Sequence, residues 1–159
     1  MLSGPGKEEL FANRFFAYIM RKLGIFPLKP GAADAAAVRT MVDLYRHDRV
    51  VVIYPEGGRS PVDDMMPFTP DLTRLVIKLR APIVPAGIAG AADLLPIKSL
   101  IPRPGRPIVI VFGECFELTD YYGRATTPEL LAEATEVLQS RVAELVARAG
   151  AEREALLRG

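Results

Sequence analysis

The chain contains few of the residues that most often carry chemistry or bind metal ions. Its 159 residues include one histidine, His47, one cysteine, Cys115, and no tryptophan. A single cysteine excludes an internal disulfide framework and any multi-cysteine zinc site, and we expect Cys115 to be a buried core residue. The adjacent carboxylates Asp63 and Asp64 have no histidine near them. We therefore interpret this pair as solvated loop residues and predict no metal site.

The chain also lacks an excess of either charge and any long hydrophobic run. Twenty basic residues balance 19 acidic residues, for a net charge of +1, which argues against nucleic acid as a partner. The longest uncharged stretch, residues 81–92, contains two prolines and two glycines and is far shorter than the ~20 apolar residues of a membrane-spanning helix. The first six residues lack the basic start and apolar stretch of a secretory signal, so we expect a cytoplasmic location.

Helical and strand patterns alternate along the rest of the sequence. Apolar residues recur at helical spacing between Leu10 and Leu23, and the β-branched run that begins at Val50 is typical of a strand buried on both faces. Thr127 and Pro128 supply a cap and a first-turn proline for a long C-terminal helix, which we expect to end near Gly150. The predicted helices are 8–22, 32–45, 71–79 and the one from 128, and the predicted strands are 25–28, 50–54, 83–88 and a buried strand at 107–113.

This alternation predicts a single α/β domain over residues 1–150. Its sheet is expected to be mostly parallel but mixed, with helices flanking it. Residues 151–159 are expected to form a polar C-terminal tail.

Residues 55–60 follow the predicted strand 50–54 directly and form the main candidate site. In open α/β sheets, ligands bind beyond the carboxyl ends of the strands. Gly57 and Gly58 allow the backbone to approach an anion closely, and Arg59 offers a planar fork of donors that suits phosphate. Glu56 is then placed to accept from a substrate hydroxyl or to orient Arg59. The alternative interpretation is a tight turn with a surface salt bridge, because short glycine motifs are weakly specific.

The same stretch resembles a known signature. Residues 54–60, Tyr-Pro-Glu-Gly-Gly-Arg-Ser, are similar to the Phe-Pro-Glu-Gly-Thr-Arg-Ser block of glycerolipid acyltransferases, most closely in the 1-acylglycerol-3-phosphate acyltransferase family. Residues 23–29 and 81–88 agree with that family in order and spacing, and residues 102–107 and 112–114 are also similar to it. The resemblance extends from about residue 7 to about residue 118.

The resemblance implies transfer of a fatty acyl group from a thioester on coenzyme A or acyl carrier protein to a free hydroxyl. The acceptor would be lysophosphatidate or a related lysophospholipid, in phospholipid biosynthesis. No metal is implied, and no cofactor other than the acyl donor, which is a substrate. By the same resemblance Glu56, Gly57, Gly58, Arg59 and Ser60 belong to the pocket for the glycerol phosphate, where Arg59 holds the phosphate.

The sequence departs from the family pattern at the general base. The family carries a His-x4-Asp motif before the first matching block, whereas no histidine here precedes His47. We expect His47 in a helix-to-strand loop, and five strand residues at ~3.3 Å each put it roughly 16 Å or more from the turn. We therefore assign no catalytic residue. Because the resemblance begins almost at residue 1, at the middle of a family strand, we expect an upstream coding region that contains the motif.

Two smaller departures affect the rest of the predicted pocket. Pro30 occupies the position where the family usually has arginine, and the adjacent Lys29 is the candidate to supply that charge. Residues 68–71, Phe-Thr-Pro-Asp, differ from the lysine and glycine that often follow this phenylalanine in the family. Two functions are therefore open: an acyltransferase of lysophosphatidate type, or a catalytically inactive remnant that binds a phosphate or lysophospholipid without the general base.

Two surface features allow a membrane interpretation. Lys98, Arg103 and Arg106 form a basic loop suited to anionic headgroups, although a solvated loop held by its prolines is the favoured interpretation. The aromatic residues Phe11, Phe15 and Tyr18 could face a membrane or an acyl chain, but we favour core packing. A peripheral contact with the cytoplasmic face of the membrane is retained as an expectation.

Overall fold

The computed structural model describes residues 2–28, 35–57, 65–96, 99, 101 and 103–158. The chain divides into an N-terminal unit, Met1–Tyr54, and a C-terminal unit, Pro55–Gly159. The strands are β1 (Leu2–Lys7), β2 (Ile25–Leu28), β3 (Val50–Val51), β4 (Ala86–Ala89) and β5 (Val109–Phe112). The helices are α1 (Arg14–Lys22), α2 (Ala35–Arg46), α3 (Pro70–Leu79), α4 (Ala91–Leu94) and α5 (Pro128–Arg158). The predicted α/β class is confirmed.

In the N-terminal unit, β1 lies between β2 and β3 and runs parallel to both. Residues 4–7 pair with residues 25–28, and residues 2–3 pair with residues 50–51. Two glycines and a proline make β1 a poor match to the strand pattern, and only the family resemblance predicts a strand here. Pro5 shares its side of β1 with Ser3, whose carbonyl accepts from Val52 N at 2.7 Å, beyond the last residue of β3. The missing N–H of Pro5 therefore removes no pairing with β3.

Three glycines lie where neighbouring segments of this sheet approach closely. A Cβ at Gly4 would lie 3.0 Å from the carbonyl oxygen of Val52, and one at Gly6 would lie 2.6 Å from Cγ2 of Ile25. Gly24, at the turn into β2, has φ +79°, and a Cβ there would meet the carbonyl oxygen of Leu2. The side chains that are absent from these positions allow the three strands to pair.

Strand β3 is shorter and more exposed than its sequence predicts. The predicted strand 50–54 was expected to be buried on both faces, but β3 contains only Val50 and Val51. Val50, Val52 and Tyr54 are exposed, so that prediction is wrong. The sheet order β2-β1-β3 leaves β3 at an edge of this sheet, and an edge strand has one neighbour instead of two.

The predicted helix 8–22 begins later than its apolar pattern indicates. Glu8–Phe11 form a 3-10 turn, and Asn13 caps α1 because its Oδ1 accepts from Phe15 N at 2.9 Å and from Phe16 N at 3.3 Å. Asparagine is among the residues most favoured at this position. The residue that α1 buries is Ala17. Phe15 and Tyr18 are exposed, so the favoured prediction of core packing is wrong for both.

In the C-terminal unit, β4 and β5 form an antiparallel pair against which α5 packs. A Cβ at Gly87 would meet the backbone of Leu145 and Val146, so α5 lies directly on β4 at this point. Leu145 and Ala149 of α5 are buried with Ala89 and Val111 from the two strands. The opposite side of β5 is open: Ile110 and Phe112 are exposed, and the prediction of a fully buried strand at 107–113 is wrong.

A second cluster fixes the first half of α5 on α3. Its buried residues are Ile77, Leu118, Tyr121, Leu130, Leu131 and Ala134. Beside it the hydroxyls of Thr73 and Thr135, both buried, share a hydrogen bond of 2.8 Å, which pairs two polar groups that burial would otherwise penalise. Burial raises the pKa of Tyr121 above its ordinary value of 10.0, and the hydrogen bond that its hydroxyl donates to Glu133 raises it further.

Helix α5 starts as predicted but does not end as predicted. Thr127 Oγ1 accepts from Leu130 N at 3.3 Å, which confirms the cap. The helix continues through Gly150 to Arg158, so the predicted end at Gly150 is wrong. Ala149 is fully buried on one side of Gly150, and Arg153 on the other donates to the Pro107 carbonyl and pairs with Asp93. These contacts outweigh the cost of about 1 kcal/mol for a glycine inside a helix.

Two further results concern the exposure of Cys115 and the search for membrane-spanning helices. Cys115 is exposed, so its predicted burial is wrong. Within the ranges that the structure describes, no helix is long and apolar enough to cross a membrane. The division into a domain at 1–150 and a tail at 151–159 stays a prediction, although α5 crosses that boundary.

Candidate functional site

The candidate site begins at a turn that follows β3. Pro55 and Glu56 occupy the turn, and Gly57 has φ +71°, a left-handed conformation that favours glycine. A Cβ at Gly57 would meet no atom within 4 Å. Glycine is therefore favoured here by the backbone conformation and not by lack of space. Such a conformation occurs in turns that present backbone N–H groups to a ligand.

Glu56 has a defined structural partner. Its Oε2 accepts a hydrogen bond of 3.1 Å from the backbone N–H of Met66, ten residues along the chain. The side chain of Glu56 is half-buried, and hydrogen bonds to an ionised carboxylate are stronger than those to a neutral acceptor. This bond joins the turn to the described chain that begins again at residue 65.

Thr69 provides a second link between the turn and the residues that precede α3. The Pro55 carbonyl oxygen accepts from Thr69 N at 2.9 Å and from Thr69 Oγ1 at 3.1 Å. Thr69 is also the N-cap residue of α3, with Pro70 at the first helical position. Its hydroxyl makes no capping bond to α3 because it is directed to Pro55 instead. The start of α3 and the turn are thereby fixed to one another.

Helix α5 supports the same segment from the other side. Gln139 Oε1 accepts from the backbone N–H of Phe68 at 3.2 Å, and the Phe68 side chain is buried. Met65, Phe68 and Gln139 also line an open cavity of about 460 Å³ between residues 65–70 and α5. Gln139 thus acts on the turn through residues 65–69. We refer to the bonds made by Glu56, Thr69 and Gln139 as the turn clamp.

Sequence reasoning did not find most of the turn clamp. Thr69 lies in the segment 68–71 that departs from the family pattern. The only local feature that indicates a structural role for Thr69 is its hydroxyl next to a proline. Gln139 is 71 residues from its partner Phe68, and nothing in its surroundings on an amphipathic helix predicts this bond. Glu56 was predicted to act on substrate or on Arg59, and its bond to Met66 N is an additional role.

The structure places only two of the predicted site residues. Glu56 and Gly57 are described above, whereas Lys29, Gly58, Arg59 and Ser60 lie outside the described residues. Their predicted role in phosphate binding stays a prediction. The same holds for Lys98 of the basic loop, while Arg103 and Arg106 of that loop are exposed.

His47 lies in the turn that follows α2, before β3, which confirms its predicted position in a helix-to-strand loop. Its Nδ1 is 2.7 Å from the carbonyl oxygen of Asp43, one of the last carbonyls of α2, which also accepts from the backbone N–H of His47 at 3.2 Å, so a ring N–H adds a second hydrogen bond at the end of the helix. In chain order His47 precedes β3 and Glu56 follows it. The bond to Asp43 gives His47 a helix-capping role.

Comparison with known proteins identifies similar chains. A family model described as Acyltransferase matches residues 2–89. A 1-acyl-sn-glycerol-3-phosphate acyltransferase of Bacillus subtilis (strain 168) is 27% identical over 139 residues, which are 87% of this chain and 66% of that protein. A protein of the same name from Streptococcus pneumoniae (strain ATCC BAA-255 / R6) is 34% identical over 58 residues, 36% of this chain and 22% of that protein.

A solved structure is also similar. The 1-acyl-sn-glycerophosphate (LPA) acyltransferase PlsC from Thermotoga maritima aligns with a TM-score of 0.64 and 25% identity, covering 90% of this chain and 56% of that one. This chain therefore spans less than two thirds of the length of each of these three relatives. The family match at residues 2–89 includes the turn, α3 and β1 to β4.

Proposed function

The chain belongs to the acyltransferase family, and on that premise we propose that it transfers a fatty acyl group to lysophosphatidate or a related lysophospholipid. The acyl donor is a thioester of coenzyme A or of acyl carrier protein, and the product feeds phospholipid biosynthesis. The relatives that support this proposal are named as 1-acyl-sn-glycerol-3-phosphate acyltransferases. The observation that carries it is the clamped turn Pro55–Glu56–Gly57 in the matched region, since this turn leads directly into Arg59.

The proposed chemistry needs few groups from the protein. The acceptor hydroxyl oxygen attacks the thioester carbonyl carbon, a C–O bond forms, and the C–S bond breaks as the thiol leaves. A general base takes the hydroxyl proton, and the departing thiolate sulfur takes up a proton to leave as the thiol. The 159 residues contain no His-x4-Asp pair, so in this proposal the base comes from outside them.

Within this proposal, Arg59 binds the phosphate and Glu56 holds the turn that carries it. Arginine presents parallel donors that match two phosphate oxygens, and such charge-assisted pairs are stronger than neutral ones. Glu56 contributes through its bond to Met66 N, which holds the turn beside the residues that precede α3. Gly57, Gly58 and Ser60 complete the backbone and hydroxyl donors, and Lys29 adds a second positive charge.

An alternative function is binding of the same lysophospholipid without turnover. The specific observation in its favour is that the only histidine, His47, is engaged with the end of α2. Product formation by the 159-residue chain well above a heat-inactivated control would exclude this alternative. Binding of lysophosphatidate by titration calorimetry with no product would support it.

The role of Arg59 is tested in a preparation of the protein that acylates lysophosphatidate. Arg59→Ala is expected to raise the KM for lysophosphatidate by about 10-fold or more, because a hydrogen-bonded charge pair is lost. Arg74→Ala, which removes an exposed arginine of α3, is the matched control and should leave KM unchanged. An unaltered KM in Arg59→Ala would show that Arg59 does not bind the phosphate.

The role of Glu56 is tested by two substitutions at one position. Glu56→Gln keeps an oxygen that can accept from Met66 N but removes the charge, whereas Glu56→Ala removes both. If Glu56 positions the turn, the glutamine variant should bind lysophosphatidate within about 3-fold of the wild type, and the alanine variant should bind about 10-fold more weakly. Equal loss in both variants would instead assign the carboxylate charge to substrate contact.

A further inference from the structure

The segment that precedes α3 has its backbone donors satisfied by residues outside it. Two of residues 66–70 are prolines, which carry no N–H. The N–H groups of residues 66 and 69 donate to the side chain of Glu56 and to the carbonyl of Pro55. The N–H that remains, that of Phe68, donates to Oε1 of Gln139 at 3.2 Å. Helix α5 therefore takes part in the backbone bonds of this segment through Gln139.

Water cannot readily replace Gln139 as the acceptor for Phe68. Phe68 is 7% exposed, and a buried donor that loses its acceptor costs the desolvation free energy of the group. The segment would have to move to expose this N–H, and the next residue, Thr69, would move with it. Thr69 donates twice to the Pro55 carbonyl, through its N–H and through its hydroxyl. Movement at Phe68 is therefore transmitted to the turn at residues 55–57.

The position of Gln139 is fixed by a neighbour on its own helix. Thr135 lies four residues before Gln139, about one turn earlier on the same side of α5. The hydroxyl of Thr135 shares a hydrogen bond of 2.8 Å with that of Thr73 in α3, and both threonines are buried. This side of α5 thus bonds to α3 through Thr135 and to the segment before α3 through Gln139. The two bonds set the position of the segment relative to both helices.

We propose that Gln139 is a positioning residue for the turn at residues 55–57, and through this turn for the phosphate of the acceptor lipid. Gln139 itself touches no substrate: its oxygen holds Phe68, and the adjacent Thr69 holds the Pro55 carbonyl. The identity of the ligand rests on the proposed function, whereas the hold of Gln139 on the turn does not. Gln139 lies outside residues 2–89, which the family model matches, so that match does not assign it this role.

Two substitutions at residue 139 and one beside it test the proposal. Gln139→Met keeps the length of the side chain but removes the carbonyl oxygen, whereas Gln139→Glu keeps an oxygen that can accept from Phe68 N. Methionine and glutamate both favour helix, so α5 should be preserved. Ser140→Ala is the matched control. Ser140 lines the same open cavity as Gln139, but its hydroxyl donates to the carbonyl of Val137 in its own helix.

The first measurement is amide hydrogen exchange by NMR without any substrate. In Gln139→Met, exchange at the Phe68 amide should be about 10-fold faster and exchange at the Thr69 amide about 3-fold faster, because the segment opens locally. The amide of Leu145, further along α5, should exchange as in the wild type. Gln139→Glu and Ser140→Ala should stay within about 2-fold of the wild type at all three amides.

The second measurement is steady-state kinetics in a preparation of the protein that acylates lysophosphatidate. Gln139→Met should raise the KM for lysophosphatidate about 5-fold, because a less ordered turn must be ordered on binding. Its kcat at saturating lysophosphatidate and its KM for the acyl donor should not change. Gln139→Glu should restore the KM of the wild type. A loss of general stability would lower the active fraction, and hence the apparent kcat, without this selective change in KM.

Three results would overturn the proposal. The first is unchanged exchange at Phe68 and Thr69 in Gln139→Met, whatever the activity. The second is equally faster exchange at Leu145, which would assign Gln139 to general stability. The third is a KM that rises as much in Gln139→Glu as in Gln139→Met, which would indicate direct contact with substrate.

Failure of the proposed function would be recognised separately. A wild-type protein that neither binds nor acylates lysophosphatidate would refute that function. Faster exchange at Phe68 and Thr69 in Gln139→Met would still show that Gln139 positions the turn, since the exchange measurement needs no ligand.

Discussion

In the N-terminal unit the strands meet through glycine, whereas in the C-terminal unit side chains fill the space around α5. Buried residues of the N-terminal unit within the described ranges are small or few: Ser3, Ala17, Ala37 and Met41. The C-terminal unit has two clusters that include Leu131, Ala134, Leu145 and Ala149. Buried side chains therefore contribute more to the second unit than to the first, although close backbone approach at a glycine, Gly87, occurs in the second unit as well.

This difference has a functional counterpart. The exposed aromatic residues of α1 belong to the unit with little buried apolar surface. The turn clamp belongs to the unit with the packed helix α5, where a site for a phosphate gains from rigid support. The better-packed unit is therefore the one that supports the candidate site.

The largest expected effect comes from core volume in the C-terminal unit. Leu131→Ala should lower the free energy of unfolding by about 3 to 4 kcal/mol, because it leaves a cavity at a residue that is 2% exposed. Met41→Ala in the N-terminal unit should cost about 2 kcal/mol at most, since its surroundings are less filled. Urea unfolding followed by circular dichroism measures both. An equal or larger loss in Met41→Ala would contradict the comparison.

An intermediate effect is expected from backbone geometry in the N-terminal unit. Gly24→Ala should cost about 2 to 3 kcal/mol, because φ is +79° and the new Cβ would meet the Leu2 carbonyl. Gly123→Ala in the C-terminal unit has a similar φ, +73°, but its Cβ would meet nothing within 4 Å, and it should cost about 1 kcal/mol. The same unfolding measurement applies. If the two variants lost the same stability, close strand approach would not be what requires glycine at residue 24.

The smallest effect is a pH dependence in the core of the C-terminal unit. The pKa of Tyr121 is raised by burial and by its bond to Glu133. The phenol of the folded chain therefore stays protonated to a higher pH than that of the unfolded chain. The resulting stabilisation is complete below pH 10.0 and is lost as pH rises through the folded pKa. Tyr121→Phe should cost about 1 kcal/mol at neutral pH and should flatten the alkaline decline.

Unfolding midpoints between pH 8 and pH 11 would check this expectation. Tyr18→Phe, which removes an exposed hydroxyl from the N-terminal unit, is the control and should decline as the wild type does. A Tyr121→Phe variant with the same alkaline decline as the wild type would show that the buried phenol does not determine it.

Local sequence patterns predicted helix caps and turns better than they predicted which side chains are buried. The cap at Thr127 and the turn into Gly57 follow from the conformational preferences of single residues, and the structure shows both. The apolar stripe of helix 8–22 predicted a helix with a buried face, but it did not show that Asn13 starts the helix or that Ala17 is the residue it buries. The periodicity of apolar residues shows which residues share one side of a helix. It does not show whether another segment packs on that side.

Part of the site could also be predicted, and part could not. The family signature at residues 54–60 identified the turn, because a glycine with positive φ next to charged residues is a local requirement. Its support by Met66, Thr69 and Gln139 could not be predicted, since hydrogen bonds between residues 10 to 71 positions apart depend on how α3 and α5 pack. The positions of Arg59 and Lys29 stay predictions.

The sequence by itself determined the family, the alternation of helices and strands, and the position of the turn, because each of these rests on residues adjacent in the chain. Only the tertiary structure decided that Gly150 lies inside a helix and that Cys115, Phe15 and Tyr18 are exposed. It also decided that Glu56 is held by Met66. Each of these outcomes depends on contacts between distant segments. The free energy of such contacts can exceed the local conformational preference of a single residue.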